Sequence, residues 1–137
     1  MEACGLHAPH CLVDQVNLKL AHVGTGFPFH QDARFVVGST QGRIERKGGL
    51  NLVIALDRAD AENGGFQVLG RTHTKGLIEF PYDLATMNDG VFDETDRVLV
   101  AMEPGDAVFF HPHLAHGSGP NPSPRQRRIV TMWFAGS

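Results

Sequence analysis

The chain is short of sulfur. Cys4 and Cys11 are its only cysteines, and both lie near the N-terminus. A pair placed so close together frames neither a zinc site nor a disulfide scaffold, and reads as two incidental thiols in a reducing compartment. Long apolar runs are missing too; none approaches the roughly 20 residues that cross a bilayer. The opening MEACGLHAPHCLVD has neither the basic start nor the apolar core of a secretory leader. The closing WFAGS is not a peroxisomal address. The expectation is a cytoplasmic protein with no membrane partner. Positive charge is also scarce: 12 Lys and Arg stand against 15 Asp and Glu, for a formal net charge of −3. That balance leaves no electrostatic footprint for nucleic acid. There is no internal repeat, heptad, low-complexity tract or long amphipathic helix.

What is present is ordinary globular material, 42% hydrophobic and 20% charged over 137 residues, enough for one domain with a core of its own. Short apolar segments alternate with turn residues, the signature of a mainly all-β chain. Strands are expected over 15–23, 33–37, 50–57, 66–70, 97–102, 107–112, 114–118 and 127–135. Residues 1–14 read as a loose N-terminal segment. Residues 77–96, with mixed periodicity and acidic turn formers, read as an insertion between core strands. Eight strands in one small domain close most naturally as a barrel or a two-sheet jelly roll, which limits exposed strand edges.

The chemistry begins at FPFHQDARFVV, residues 27–37. In a strand, residues i and i+2 share a face, so His30 and Asp32 project together. A buried imidazole and carboxylate need a partner, and a metal ion is one. The triplet alone is weak, because the chain has 8 His and a surface His–Asp pair contributes little. A second source of ligands is FFHPHLAHGSGPN, which offers His111, His113 and His116. One of these with His30 and Asp32 completes two imidazoles and one carboxylate. That facial set leaves positions open and suits non-haem Fe(II), whereas a closed zinc site wants four protein ligands.

The ordered pieces FHQD (29–32), IALDRADAENGGFQVLGRTH (54–73), EPGDAVFFHP (103–112) and HGSGPNPSPRQRR (116–128) resemble the phytanoyl-CoA dioxygenase family of Fe(II)- and 2-oxoglutarate-dependent oxygenases. The resemblance runs from about Val16 to Phe134. It implies a double-stranded β-helix, a cupin-like jelly roll, here lacking most of the usual N-terminal helices and so a short or truncated member. It implies Fe(II) as metal, with 2-oxoglutarate and O2 as cosubstrates. It places the metal on His30, Asp32 and His116, with no catalytic residue beyond these ligands, and leaves His111, His113 and His73 to packing or turn roles.

The far carboxylate of 2-oxoglutarate needs a fixed cation, and the arginine fork fits it with two parallel hydrogen bonds. Arg125, Arg127 and Arg128 are available. The family offset falls on Arg127, with Ser118 as hydroxyl partner. Arg125 remains the alternative, and Arg128 points to the other face. Gln31, between the ligands, is expected to touch the cosubstrate. The loop holding Arg43, Arg46 and Lys47 is expected either to hold an anionic substrate or to be a solvated charged loop. Val53 stands where many members have tryptophan.

The implied reaction is hydroxylation of a C–H bond in a small organic substrate, an acyl-CoA or other lipid-like molecule. A carboxylate at position 32 favours hydroxylation over halogenation, for which related enzymes carry a small residue. Two other readings compete: a cupin-like metal protein without oxygenase activity, and an inactive or truncated remnant. The last strand is apolar on both faces, so both faces want cover. With the helices absent, Val130, Met132 and Phe134 are expected to form an open patch through which the chain self-associates.

Overall fold

Strands account for most of the regular structure in a computed structural model of the chain, which describes residues 5–22, 25–36, 44–45, 47–78 and 91–137. Among these residues there are eight strands: β1 (His10–Lys19), β2 (Phe27–His30), β3 (Gly49–Ala55), β4 (Phe66–Leu69), β5 (Arg97–Val100), β6 (Ala107–Phe110), β7 (His116–Ser118) and β8 (Arg127–Ala135). They form two four-stranded antiparallel sheets in the orders β1-β8-β3-β6 and β2-β7-β4-β5. This is the jelly roll expected from the sequence. Among the described residues no helix is long and apolar enough to cross a membrane.

Alternation sets the faces of the first sheet. Val53, Ala55, Phe110 and Ile129 point inward and meet Phe66 of the second sheet and Met102 in the main core. The second sheet covers its other side with a second cluster, Phe29, Leu69, Phe92 and Ala115, to which Ile78 and Val91 pack. So the described ends of the 77–96 segment lie on the fold; positions 79–90 are outside the described residues.

Three expectations change. β1 starts at His10, inside the segment expected to be loose. Its polar residues Asn17 and Lys19 face inward, and its apolar residues face out: Val16 is 60% exposed and Leu18 55%. Second, the strand expected over 33–37 is a 3-10 helix, Asp32–Phe35, closed by Arg34 N–H donating to Gln31 O and Val36 N–H to Ala33 O. Third, Phe134 is not open. Leu6 and Leu50 bury it, and Met132 packs against that cluster. The N-terminal segment thus covers one end of the patch, while Val130 stays partly exposed.

Candidate metal centre and anion pocket

Two strands and one short helix aim three ligating side chains at a single point. His30 ends β2, His116 begins β7, and the two are register partners. An unbroken strand would carry Asp32 about 6.6 Å beyond His30. The turn into the 3-10 helix returns it instead. Asp32 Oδ1 lies 3.2 Å from His30 Nε2 and 3.5 Å from His116 Nε2. The imidazole centroids are 4.2 Å apart. One ligand atom from each residue falls within 4.8 Å of the others, and all three residues are buried.

The hydrogen bonds around the trio decide what it can hold. His30 Nδ1 lies 2.8 Å from Pro28 O, and His116 Nδ1 lies 2.9 Å from Leu114 O. A carbonyl only accepts, so each Nδ1 carries a proton and Nε2 is the atom turned inward, with a lone pair to offer when the ring is neutral. Such backbone anchoring is the usual way a metal-binding histidine is oriented. Asn51, buried in β3, donates from Nδ2 to Asp32 Oδ2 at 2.5 Å, leaving Oδ1 for the centre. Two imidazole lone pairs and one carboxylate oxygen fit Fe(II).

Charge is tuned accordingly. Burial, and then His116, lower the His30 pKa. Burial opposes charge on His116 as well, but the Asp32 carboxylate outweighs it and raises that pKa. Burial alone would raise Asp32; the two imidazoles, His116 foremost, hold it well below the usual carboxylate range.

A cavity of about 580 Å³ opens beside the trio, with Lys19, Val53, Ser118, Arg127 and Trp133 in its wall. Arg127 is 4% exposed. It donates to Gly64 O at 3.1 Å, its buried Nε has no partner, and no carboxylate among the described residues pairs with it. Burial pushes its pKa down. Lys19 Nζ donates to Ser118 Oγ at 2.9 Å and to Gly119 O. Its pKa is pushed down to about 8, by burial first and then by the Arg127 charge. Two buried cations without an anion are costly unless an anion arrives, so this end of the cavity has the chemistry to take one. Gly64 makes the close approach possible. Its φ is +72, and a Cβ there would lie 2.5 Å from Gly119 O and 2.8 Å from Pro120 O. Asn121 holds the cradle to β1 by donating to Lys19 O, Leu20 O and Arg125 O.

The expected residues sort as follows. His30, Asp32 and His116 come together, as do Ser118 and Arg127 around the cavity. Arg125 is engaged elsewhere, 3.0 Å from Asp60 and 3.1 Å from Glu62. Arg128 pairs with Asp57. Gln31 is a correction. It is fully buried, and its amide is used by Gly76 O, His113 O and Ile78 N–H. Lying one residue from each ligand, it faces away from them and ties two loops together instead of reaching the cavity. His111 and His113 contact each other at the surface, with His73 beside His111, away from the trio. Arg43 and Arg46 lie outside the described residues.

Sequence reasoning missed Lys19, Asn51 and Gly64, and noted Asn121 within the 116–128 motif without giving it a role. Asn51 did carry a signal, as the single polar residue in the most apolar strand, LNLVIAL.

The family model described as phytanoyl-CoA dioxygenase matches residues 5–129. Peroxisomal phytanoyl-CoA dioxygenase of Bos taurus is 40% identical over 118 residues, covering 79% of this chain and 33% of that protein. The chain spans about a third or less of the length of five curated phytanoyl-CoA dioxygenases that it matches at 33–40% identity. Among solved structures, EvdMO1 is 31% identical with a TM-score of 0.69, over 93% of this chain and 27% of that one. EvdO2 from Micromonospora carbonacea var. aurantiaca, complexed with 2-oxoglutarate, shares the fold with a TM-score of 0.77 at 23% identity, over 94% of this chain and 52% of that one.

Proposed function

Because the chain belongs to the phytanoyl-CoA dioxygenase family, we propose that it works as an Fe(II)- and 2-oxoglutarate-dependent dioxygenase that hydroxylates a C–H bond of a small organic substrate. One observation carries the reading. Two imidazoles with carbonyl-anchored Nδ1 atoms meet one carboxylate oxygen beside a cavity whose far end holds Arg127, buried with no carboxylate partner. A metal-binding cupin without oxygenase chemistry has no use for that arginine.

In this reading His30, Asp32 and His116 would hold the metal beside the cavity. Asn51 keeps Asp32 to one oxygen. Arg127 and Lys19, with the Ser118 hydroxyl, receive the distal carboxylate of 2-oxoglutarate and fix its keto acid end towards the metal. Val53, Phe66 and Ile129 keep that part of the cavity dry, which strengthens both contacts. When bound, Fe(II) with 2-oxoglutarate and O2 supplies the oxidation that converts C–H to C–OH, with release of succinate and CO2. An acyl-CoA or other lipid-like substrate agrees with the apolar wall. Its proposed anchors, Arg43 and Arg46, lie outside the described residues.

The test is iron-dependent formation of succinate from 2-oxoglutarate by the purified chain, alongside His116→Ala. We expect turnover in the first and, in the variant, loss of both turnover and metal binding. Iron binding without any succinate would leave a metal-binding cupin. Retained metal binding in His116→Ala with loss in His113→Ala would move the third ligand.

A further inference from the structure

Arg127 Nε is not alone in lacking a partner in this cavity. The indole Nε1 of Trp133 is buried and has no acceptor, and the Trp133 side chain is part of the cavity wall. A buried donor without an acceptor is destabilising, so its retention in a pocket wall calls for an explanation. Trp133 and Arg127 lie on the same strand and the same face, six residues apart, which is about 20 Å of strand. The anion cradle therefore cannot serve Trp133.

Trp133 sits on the metal side. It is the register partner of Asn51, which holds Asp32. Its ring stacks on Phe35 at 6.5 Å and 22°. Phe35 lies 5.5 Å from the His30 ring, and Phe27 meets that ring edge-on at 4.8 Å. Two aromatic side chains thus flank the candidate ligand His30, and Trp133 stacks on one of them. The polar groups along β1 are already used on one another: Gln15 donates to Asn17 Oδ1, and Asn17 to Thr131 Oγ1 at 2.8 Å. Beyond Lys19 and Arg127, the described residues lining this cavity offer no cation, and no carboxylate other than Asp32.

We propose that the substrate end presented to the metal is an uncharged, apolar ring or chain bearing one hydrogen-bond acceptor, held between Phe27, Phe35 and Trp133 with the acceptor taking the Trp133 Nε1–H. This rests on the oxygenase reading for the position of the reacting carbon. The recognition itself is a property of this wall. Aromatic faces accept flat or alicyclic bodies, and a site with one buried donor rejects ligands that leave it unpaired. A charged group there would be desolvated without a partner.

The chain contains a single tryptophan, so its emission reports on this spot directly. The 137-residue chain, loaded with Mn(II) in place of iron to prevent turnover, is titrated first with 2-oxoglutarate by calorimetry. It is then titrated with cyclohexanecarboxamide, cyclohexanecarboxylate and cyclohexylammonium, which share one ring and differ in charge. We expect the carboxamide to shift the tryptophan emission saturably and to bind at least about tenfold tighter than either ion. Trp133→Phe, followed by calorimetry, should weaken the carboxamide about five- to tenfold and leave 2-oxoglutarate binding unchanged. Equal or tighter binding of either ion, binding of none of the three, or an unaltered carboxamide affinity in a folded Trp133→Phe would overturn the proposal. Failure of 2-oxoglutarate to bind in the first titration would instead sink the oxygenase reading, separately from the ring comparison.

Discussion

The two faces of the sheet β1-β8-β3-β6 carry opposite chemistry from the same strands. The inner face presents Lys19, Asn51, Val53, Arg127, Ile129 and Trp133 to the cavity and core. The outer face presents Val16, Leu18 and Phe109, each more than half exposed, with Leu52, Ile54 and Val130 between them. In most sheets with one wet side the apolar residues go in and the polar ones out. In β1 the order is inverted because the inside is a site and not only a core. Polar side chains tolerate burial there because a neighbour or a ligand uses them. The difference teaches that alternation reports the period of a strand reliably, while the direction of its faces depends on what the interior has to bind.

Substitutions can break this division, and the largest effect belongs inside. Arg127→Ala should weaken 2-oxoglutarate by about 2–5 kcal/mol, the range for losing one side of a buried charged contact, with metal affinity nearly intact. Arg125→Ala, on the exposed Asp60–Glu62 pair, should leave 2-oxoglutarate affinity as it was. Calorimetry on both variants decides, and equal losses would void the assignment.

Next comes Asn51→Leu, which leaves Asp32 Oδ2 without its donor. Removing a hydrogen-bond partner of a metal ligand typically lowers metal affinity about 10–100-fold. The spectrum of the Co(II)-loaded variant should change as Asp32 turns. An unchanged spectrum and affinity would show that Asn51 only fills space.

A gentler effect follows from Lys19. Its folded pKa of about 8 lies below the ordinary 10.5, so the charged form is the one that folding disfavours. That penalty is complete below about pH 8 and disappears as pH rises towards 10.5. Stability of the ligand-free chain should therefore rise across that window, while 2-oxoglutarate affinity falls as the cation is lost. Lys19→Met should flatten both slopes. If both persist in the variant, another group is responsible.

The smallest effect on folding belongs outside. Val16→Lys, at a position 60% exposed, should change stability by no more than about 0.5 kcal/mol and leave ligand binding alone. It should, however, reduce concentration-dependent association in sedimentation, because exposed apolar patches draw partners. A wild-type chain that is monomeric at every concentration would remove the self-association we expect of this face.

Much of the site was legible in the sequence because its metal ligands are compact in it. His30 and Asp32 stand two apart, and His116 opens a Gly/Pro/Ser-rich loop with Ser118 close behind. β8 was legible to the residue, since RRIVTMWFA, rich in β-branched and aromatic residues after a polar loop, reads as a strand throughout. The 3-10 helix at Asp32–Phe35 was not. Ala33, Phe35 and Val36 have strand-like or neutral preferences, and the local geometry is decided by Asp32 folding back and by Ala33 N–H bonding to Pro112 O. Only the family offset favoured Arg127 over Arg125 in the sequence, because the choice depends on Asp60 and Glu62, which the folded turn brings beside Arg125. Lys19 was hidden by the same inversion that exposes Val16 and Leu18.

The placement of β8 between β1 and β3 carries a consequence for how the molecule assembles. His10 pairs with Ala135 and Lys19 with Arg127, so the ladder that seats both cations joins distant parts of the chain. Closing such long loops precedes any gain from the contacts they allow. Before β8 docks, β1 has no partner strand at all and β3 has only β6. Such an intermediate could carry the HQD turn yet have no carboxylate cradle, and its open strand edges would be sticky. Refolding from denaturant is therefore expected on the slow, millisecond-to-second side for a domain of this size, with competence for 2-oxoglutarate arriving only in the final phase.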